Sequence, residues 1–179
     1  MFGLAAEEHG YPFNQISPRM LWWGRGGVAG WGSICGALPP AAMFIASVTD
    51  EETQIALINE MMAWYKDAAF PIYQPHGENI PTTVANSTLC HVSITTFLAQ
   101  GPWTMDSPEK KYRCGGLSAD VARWTVELLN DFTDLASFEA KHKLAPDVAE
   151  CKACHGAFTQ GKDSCEVCHT LEDPHPDGF

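Results

Sequence analysis

Two copies of Cys-x-x-Cys-His stand near the end of the chain: Cys151-Lys152-Ala153-Cys154-His155 and Cys165-Glu166-Val167-Cys168-His169. That spacing is the attachment string of c-type haem. The two cysteines hold the porphyrin by thioethers, and the adjacent histidine is then fixed where it reaches the iron from one face. Haem iron needs such an axial ligand, and the ligand's identity sets much of the redox chemistry. A segment of this kind is organised by contact with its cofactors more than by its own propensity. The same four cysteines also spell Cys-x2-Cys-x10-Cys-x2-Cys, which suits a structural zinc site, and a disulfide-only role is a third reading. Zinc does not require a histidine after each pair, yet His155 and His169 both stand there in a chain with 7 histidines among 179 residues. The favoured reading is two covalent haem c groups.

The length suits one domain, or one domain with a small appendage. Six tryptophans and nine phenylalanines supply enough apolar material for a core. A formal charge of −11 disfavours the phosphate backbone of nucleic acid, and no cluster of basic residues reverses that. The charge permits a positively charged redox protein as partner. No stretch reads as a membrane span: the nearest, Gly26 to Val48, carries five glycines and the pair Pro39-Pro40. The start, MFGLAAEEHG, has neither the basic residues nor the apolar run of an export signal. Haem c attachment normally takes place outside the cytoplasm, so a periplasmic or otherwise exported protein is expected, its signal removed or its start misassigned.

The expected fold is mostly α: an N-terminal arm over 1–25, a compact helical domain over 26–147, and a short dihaem-binding segment over 148–179, with little or no sheet. The arm reads as irregular, punctuated by Gly10, Pro12 and Pro18. The small-residue run Gly26 to Leu38 suits a tightly packed helix or a ligand-hugging turn; it lacks the P-loop string and a dinucleotide fingerprint. A helix is expected from Pro40 to Ala46. Asp50 caps the next, over 51–68, with Ile55, Ile58, Met61, Met62 and Tyr65 as its buried stripe. Residues 83–99 read as helix, with strand left open by the β-branched run Ile94-Thr95-Thr96. Ser118 opens a strong helix whose buried face is Val121, Trp124, Leu128 and Leu129. A shorter helix spans Leu135 to Lys143. Trp31, Tyr65 and Trp124 are expected in the core.

Cys35, Cys90 and Cys114 remain. They read as inert buried thiols, as one disulfide with an odd thiol, or as three ligands of an iron–sulfur centre whose fourth is His91 or another group. The order Trp31-Gly32-Ser33-Ile34-Cys35-Gly36-Ala37-Leu38, then Cys90-His91-Val92-Ser93, then Cys114-Gly115, then a terminal pair of haem motifs, resembles the split-Soret cytochrome c family. The first part also resembles the wider group of redox-active proteins with scattered Cys-Gly motifs. The resemblance implies a mostly helical homodimer with two bis-histidine haems per subunit. Its four haems would gather at one end, those of a pair close enough to couple. It also strengthens the case for an iron–sulfur centre at the three cysteines.

Two irons bound by His155 and His169 need two further axial ligands. Histidine is what the resemblance implies, and methionine is the general alternative. The candidates rank His142, His9, His91, His76, His175. Electron transfer is the expected function, because a fully ligated haem has no position left for substrate. The alternative is a redox enzyme, a small-molecule reductase using an open haem or a thiol or iron–sulfur centre at Cys35, Cys90 and Cys114.

Overall fold

The computed structural model describes residues 1–75, 77, 79–156 and 161–167. Cys168, His169, His76 and His175 lie outside the described residues. The protein is mostly helical, as its sequence predicts.

Three helices make the core: α2 (Leu38–Val48), α3 (Glu51–Asp67) and α5 (Pro108–Asp131). Leu38, Ala41 and Ile45 from α2, Leu57, Met61, Trp64 and Tyr65 from α3, and Leu117 and Val121 from α5 are buried together. Trp64 stacks on Trp124 with ring centroids 4.5 Å apart, a large apolar contact of favourable geometry. Asp50 caps α3, accepting a hydrogen bond from the Thr53 backbone N–H at 2.9 Å. That bond holds the Asp50 carboxyl below its ordinary range. The inner face of α3 runs through Leu57, Met61 and Trp64. Ile55 lies about 200° round the helix from Leu57, so it is 56% exposed and not part of the buried stripe. Trp31 is likewise at the surface, 86% exposed, because the turn that carries it loops away from the core.

The helix expected from Ser118 begins ten residues earlier, at Pro108, a residue suited to the first helical turn. Ser118 is interior to it and donates to the Cys114 carbonyl at 2.8 Å. The Gly115-Gly116 pair does not stop α5; a Cβ on Gly116 would lie 2.7 Å from the Pro71 side chain, so its absence admits the neighbouring chain. Asp120 fastens that chain, accepting from the backbone N–H of Ile72 at 2.7 Å and of Tyr73 at 3.0 Å.

Residues 1–25 are more regular than predicted: α1 (Phe2–His9) is followed by 3-10 turns at Phe13–Gln15 and Pro18–Gly24. Phe2 anchors α1, packing edge-on against Phe44 at 5.2 Å. Residues 83–99 divide between both predicted forms. Strand β1 (Ala69–Phe70) pairs antiparallel with β2 (Thr83–Val84), and α4 (Cys90–Leu98) follows. The helix predicted over 135–143 does not form. Its backbone donors are taken by a side chain instead, since Glu60 accepts from the N–H groups of Lys141 and His142. The last helix is α6 (Pro146–His155). Among the described residues, no helix is long and apolar enough to cross a membrane.

Candidate functional site

Cys35, Cys90 and Cys114 arrive from three directions on one cavity of about 650 Å³. Cys35 stands just before α2, Cys90 is the first residue of α4, and Cys114 is in the second turn of α5. The run 26–33 folds as the ligand-hugging turn, not the helix, of the two forms predicted: Gly26, Gly27, Val28, Ala29, Gly30 and Gly32 all have positive φ. Its closure is dictated at Gly27, where a Cβ would sit 2.6 Å from the Ser33 nitrogen and 2.7 Å from Cys90 Cβ. Backbone bonds then hold two of the cysteines in place. Cys35 N–H donates to Thr88 O at 2.9 Å, and Cys90 N–H donates to Ser33 O at 2.6 Å.

Burial, reinforced by the neighbouring Cys35 and Cys114, pushes the Cys90 thiol up to about 11. Burial also raises Cys114, opposed by Arg113 and Lys110. Burial is the main cause of an upward shift at Tyr65, whose hydroxyl meets Cys35 and lies 3.3 Å from Ser93 Oγ. The three sulfurs therefore sense one another electrostatically. They are not drawn into a finished coordination sphere: among the described residues, no three His, Cys, Asp or Glu side chains are grouped closely enough to hold an ion. The donor chemistry, three soft thiols on one wall, still suits iron.

The tail docks by carboxylates. Asp163 Oδ2 accepts from Ser87 Oγ at 2.8 Å, Thr88 N–H at 3.0 Å and Thr88 Oγ1 at 3.2 Å. Thr88 is the residue whose carbonyl holds Cys35, so the tail and the thiol cavity share a support. Asp147, in the first turn of α6, accepts from Ser164 Oγ at 2.9 Å and from the N–H groups of Cys165 at 2.7 Å and Glu166 at 3.4 Å. Burial raises its carboxyl, but these bonds prevail and leave it lowered. Helical spacing puts Cys151, Cys154 and His155 on one side of α6. Cys165 opens a short 3-10 turn, and burial together with the neighbouring Cys165 thiol raises the Cys151 thiol. The first cysteines of the two motifs are thus neighbours, while Cys168 and His169 lie outside the described residues. The described residues fit a covalently held haem: α6 offers both thiols of one motif and its histidine, and the second motif starts beside the first.

The candidate axial histidines differ sharply in setting. His142 donates Nδ1–H to Glu60 Oε1 at 2.7 Å, and its ring meets Trp124 edge-on at 5.9 Å. A carboxyl oxygen accepting at Nδ1 fixes the ring and leaves Nε2 as the nitrogen for a metal, the arrangement that orients a metal-binding imidazole. His142 also lines a cavity of about 610 Å³ with Trp124, Phe132 and Phe138. His91 uses Nδ1–H toward Gly32 O at 2.9 Å and lies on the lip of the thiol cavity. His9 ends α1, exposed, with Phe13 at 6.3 Å. Sequence reasoning missed Glu60, Arg113, Asp147 and Asp163. Only their folded partners reveal them, since acidic and basic residues at such spacings usually mark solvated faces.

Residues 1–128 match the family described as putative redox-active protein (C_GCAxxG_C_C). This chain belongs to that family. The literal Gly-Cys-Ala string is absent from it; the nearest run is Cys35-Gly36-Ala37. The chain is also 30% identical to the split-Soret cytochrome c of Desulfovibrio desulfuricans over 183 residues, 94% of this chain and 65% of that protein. A solved structure of the split-Soret cytochrome c from D. desulfuricans ATCC 27774, a protein described as having a novel iron centre, superposes with a TM-score of 0.88 at 29% identity, covering 97% of this chain and 78% of that one. Fold and sequence are thus similar to those of a c-type cytochrome.

Proposed function

We propose that this protein is an electron carrier with two covalent haem c groups, held by Cys151 and Cys154 and by Cys165 and Cys168. His155 and His169 bind the irons on one side, and two of His142, His9 and His91 bind on the other. When bound, haem supplies reversible one-electron oxidation and reduction of its iron. The chain's residues do the rest. Asp147 ties the second motif to the first, Asp163 ties both to the helical domain, and Glu60 fixes the ring and tautomer of His142. The observation that carries the reading is the seating of the second motif's start on α6, where Asp147 accepts from Ser164 Oγ at 2.9 Å and from Cys165 N–H at 2.7 Å. Two attachment motifs that begin side by side bring their cofactors near one another, which makes the haems suited to passing electrons and to influencing each other's potential.

Cys35, Cys90 and Cys114 are proposed as three ligands of an iron–sulfur centre, in line with the similarity to a cytochrome that has a novel iron centre. A homodimer is proposed as the working form. Trp22, Trp23, Trp31 and Met20 expose large apolar surfaces on the N-terminal part, 70%, 46%, 86% and 64% respectively, and a second copy is a natural cover for them. Haem attachment and this similarity favour an exported location, and redox proteins are the expected partners. Intact mass tests the haem assignment: protein matured with attachment machinery should exceed the polypeptide by two haems, roughly 1.2 kDa, stable to acid extraction. A bare chain, or a mass fitting zinc, overturns it.

A further inference from the structure

The cavity that receives Cys35, Cys90 and Cys114 also receives a buried cation. Arg113, the residue before Cys114 on α5, lines it and is 2% exposed. One terminal nitrogen donates to Ser93 Oγ at 2.6 Å, and the guanidinium lies 5.9 Å from the Phe97 ring centroid. Its Nε has no hydrogen-bond partner among the described residues. The ion pairs of the described residues join Lys66 to Asp67, Arg123 to Glu127, Lys141 to Asp131 and His142 to Glu60, and Arg113 is in none of them. No Asp or Glu is among the described residues that line the cavity.

A guanidinium does not deprotonate in proteins, so this charge is permanent. Taken out of water with no counter-charge and one donor unmet, it is strongly disfavoured by itself. The neighbours do not depend on it. The Ser93 hydroxyl also meets the Tyr65 hydroxyl at 3.3 Å, and Phe97 stacks on Trp103 at 4.8 Å. The arrangement becomes favourable once something negative shares the cavity. Thiols that ligate a metal do so as thiolates, and three of them around iron make a negative centre. An unused donor and an unpaired cation beside three sulfur ligands are what such a centre calls for.

We propose that Arg113 is the counter-charge residue of the iron–sulfur centre at Cys35, Cys90 and Cys114, stabilising the sulfur-ligated iron and raising its potential. The inference rests on the reading of that centre given above. Net charge and hydrogen bonds to sulfur are among the factors that set such potentials. One-electron reduction adds one negative charge to the centre, and a fixed cation beside it favours the reduced state. Lys111 lines the same cavity but is exposed, so water screens it and its share is smaller.

The haem-loaded full chain, purified without oxygen, is compared with its Arg113→Leu, Arg113→Lys and Lys111→Gln variants. Potentiometric titration with dithionite, followed by electron paramagnetic resonance of the reduced centre, should give Arg113→Leu the lower potential. At one applied potential its ratio of reduced to oxidised centre should fall about tenfold, about 59 mV on the one-electron scale. Arg113→Lys keeps the charge and should recover most of that shift, while Lys111→Gln should move less. Melting temperature is a second readout, and a packing role would not change its sign. After non-haem iron is removed with air and a chelator, Arg113→Leu should melt no lower than the parent, because it removes an uncompensated buried charge. With the centre in place it should melt lower. Acid-labile sulfide retained by Arg113→Lys and lost from Arg113→Leu would support the same dependence on charge. An unchanged potential in Arg113→Leu, an equal shift in Lys111→Gln, loss of sulfide from both Arg113 variants, or a drop in melting temperature alike with and without the iron would overturn the proposal and leave the iron–sulfur reading standing. Parent protein without acid-labile sulfide and non-haem iron would overturn both.

Discussion

Replacing Glu60 by Gln tests the haem arrangement at a residue that touches no haem motif. Glu60 is 2% exposed and accepts three bonds: Lys141 N–H at 3.2 Å and His142 Nδ1–H at 2.7 Å on Oε1, and His142 N–H at 3.1 Å on Oε2. Glutamine keeps the shape but turns one acceptor into a donor facing a donor, and removes the charge. Bonds to a charged group contribute about 1.5–3 kcal/mol each. The backbone of 139–143 can relax in part, so docking of that segment should weaken by about 2–4 kcal/mol. The electronic consequence is separate. A carboxylate on the far nitrogen of an axial imidazole favours ferric over ferrous iron. If about 1–2 kcal/mol of its interaction distinguishes the two states, the potential of the haem that His142 is proposed to bind rises by about 45–85 mV on the one-electron scale. Spectroelectrochemical titration of the mature protein should show this at one haem and only a smaller, coupled change at the other. Glu60→Asp should restore part of the shift. Destabilisation without any change in either potential would remove His142 from the ligand set and leave Glu60 a structural residue.

Gly27→Ala should cost about 2–4 kcal/mol in urea denaturation, because it adds a Cβ at positive φ against Ser33 and Cys90. Gly30→Ala, also at positive φ but with nothing within 4 Å, should lose only the backbone share, about 1 kcal/mol; equal costs would show that the Cys90 contact is immaterial. Asp147 has a folded-state carboxyl below its ordinary value, so the stability it adds is present above the unfolded value near about pH 4 and is lost as pH falls through the lowered one. Hydrogen exchange at the Cys165 and Glu166 amides should accelerate over that acid range, and should be fast and nearly free of this transition in Asp147→Ala. Slow exchange in the variant would mean that other contacts hold the second motif.

Much of this architecture is legible in the sequence wherever a local rule applies. Asp50 followed by two glutamates announces a helix start, and Cys-x-x-Cys-His announces its chemistry by spacing alone. The failures share a cause. Ser118 has the residue type of a cap, but Pro108 opens the helix earlier, and Gly116 within it admits the chain at Pro71–Tyr73. Residues 135–143 have helical composition, yet Glu60, some eighty positions away, takes their N–H groups. The convergence of Cys35, Cys90 and Cys114 is of the same kind. Each belongs to a different helix or its approach, and what joins them is the Gly27 turn, the Thr88 carbonyl and the packing of α4 on α5. Thr88 is also where Asp163 fastens the tail. The segment that carries the haem motifs and the wall that carries the thiols therefore rest on one short stretch, Ser87 to Cys90. A disturbance there should be felt at both centres. A sequence can show both motifs, but their shared support exists only once the chain has folded.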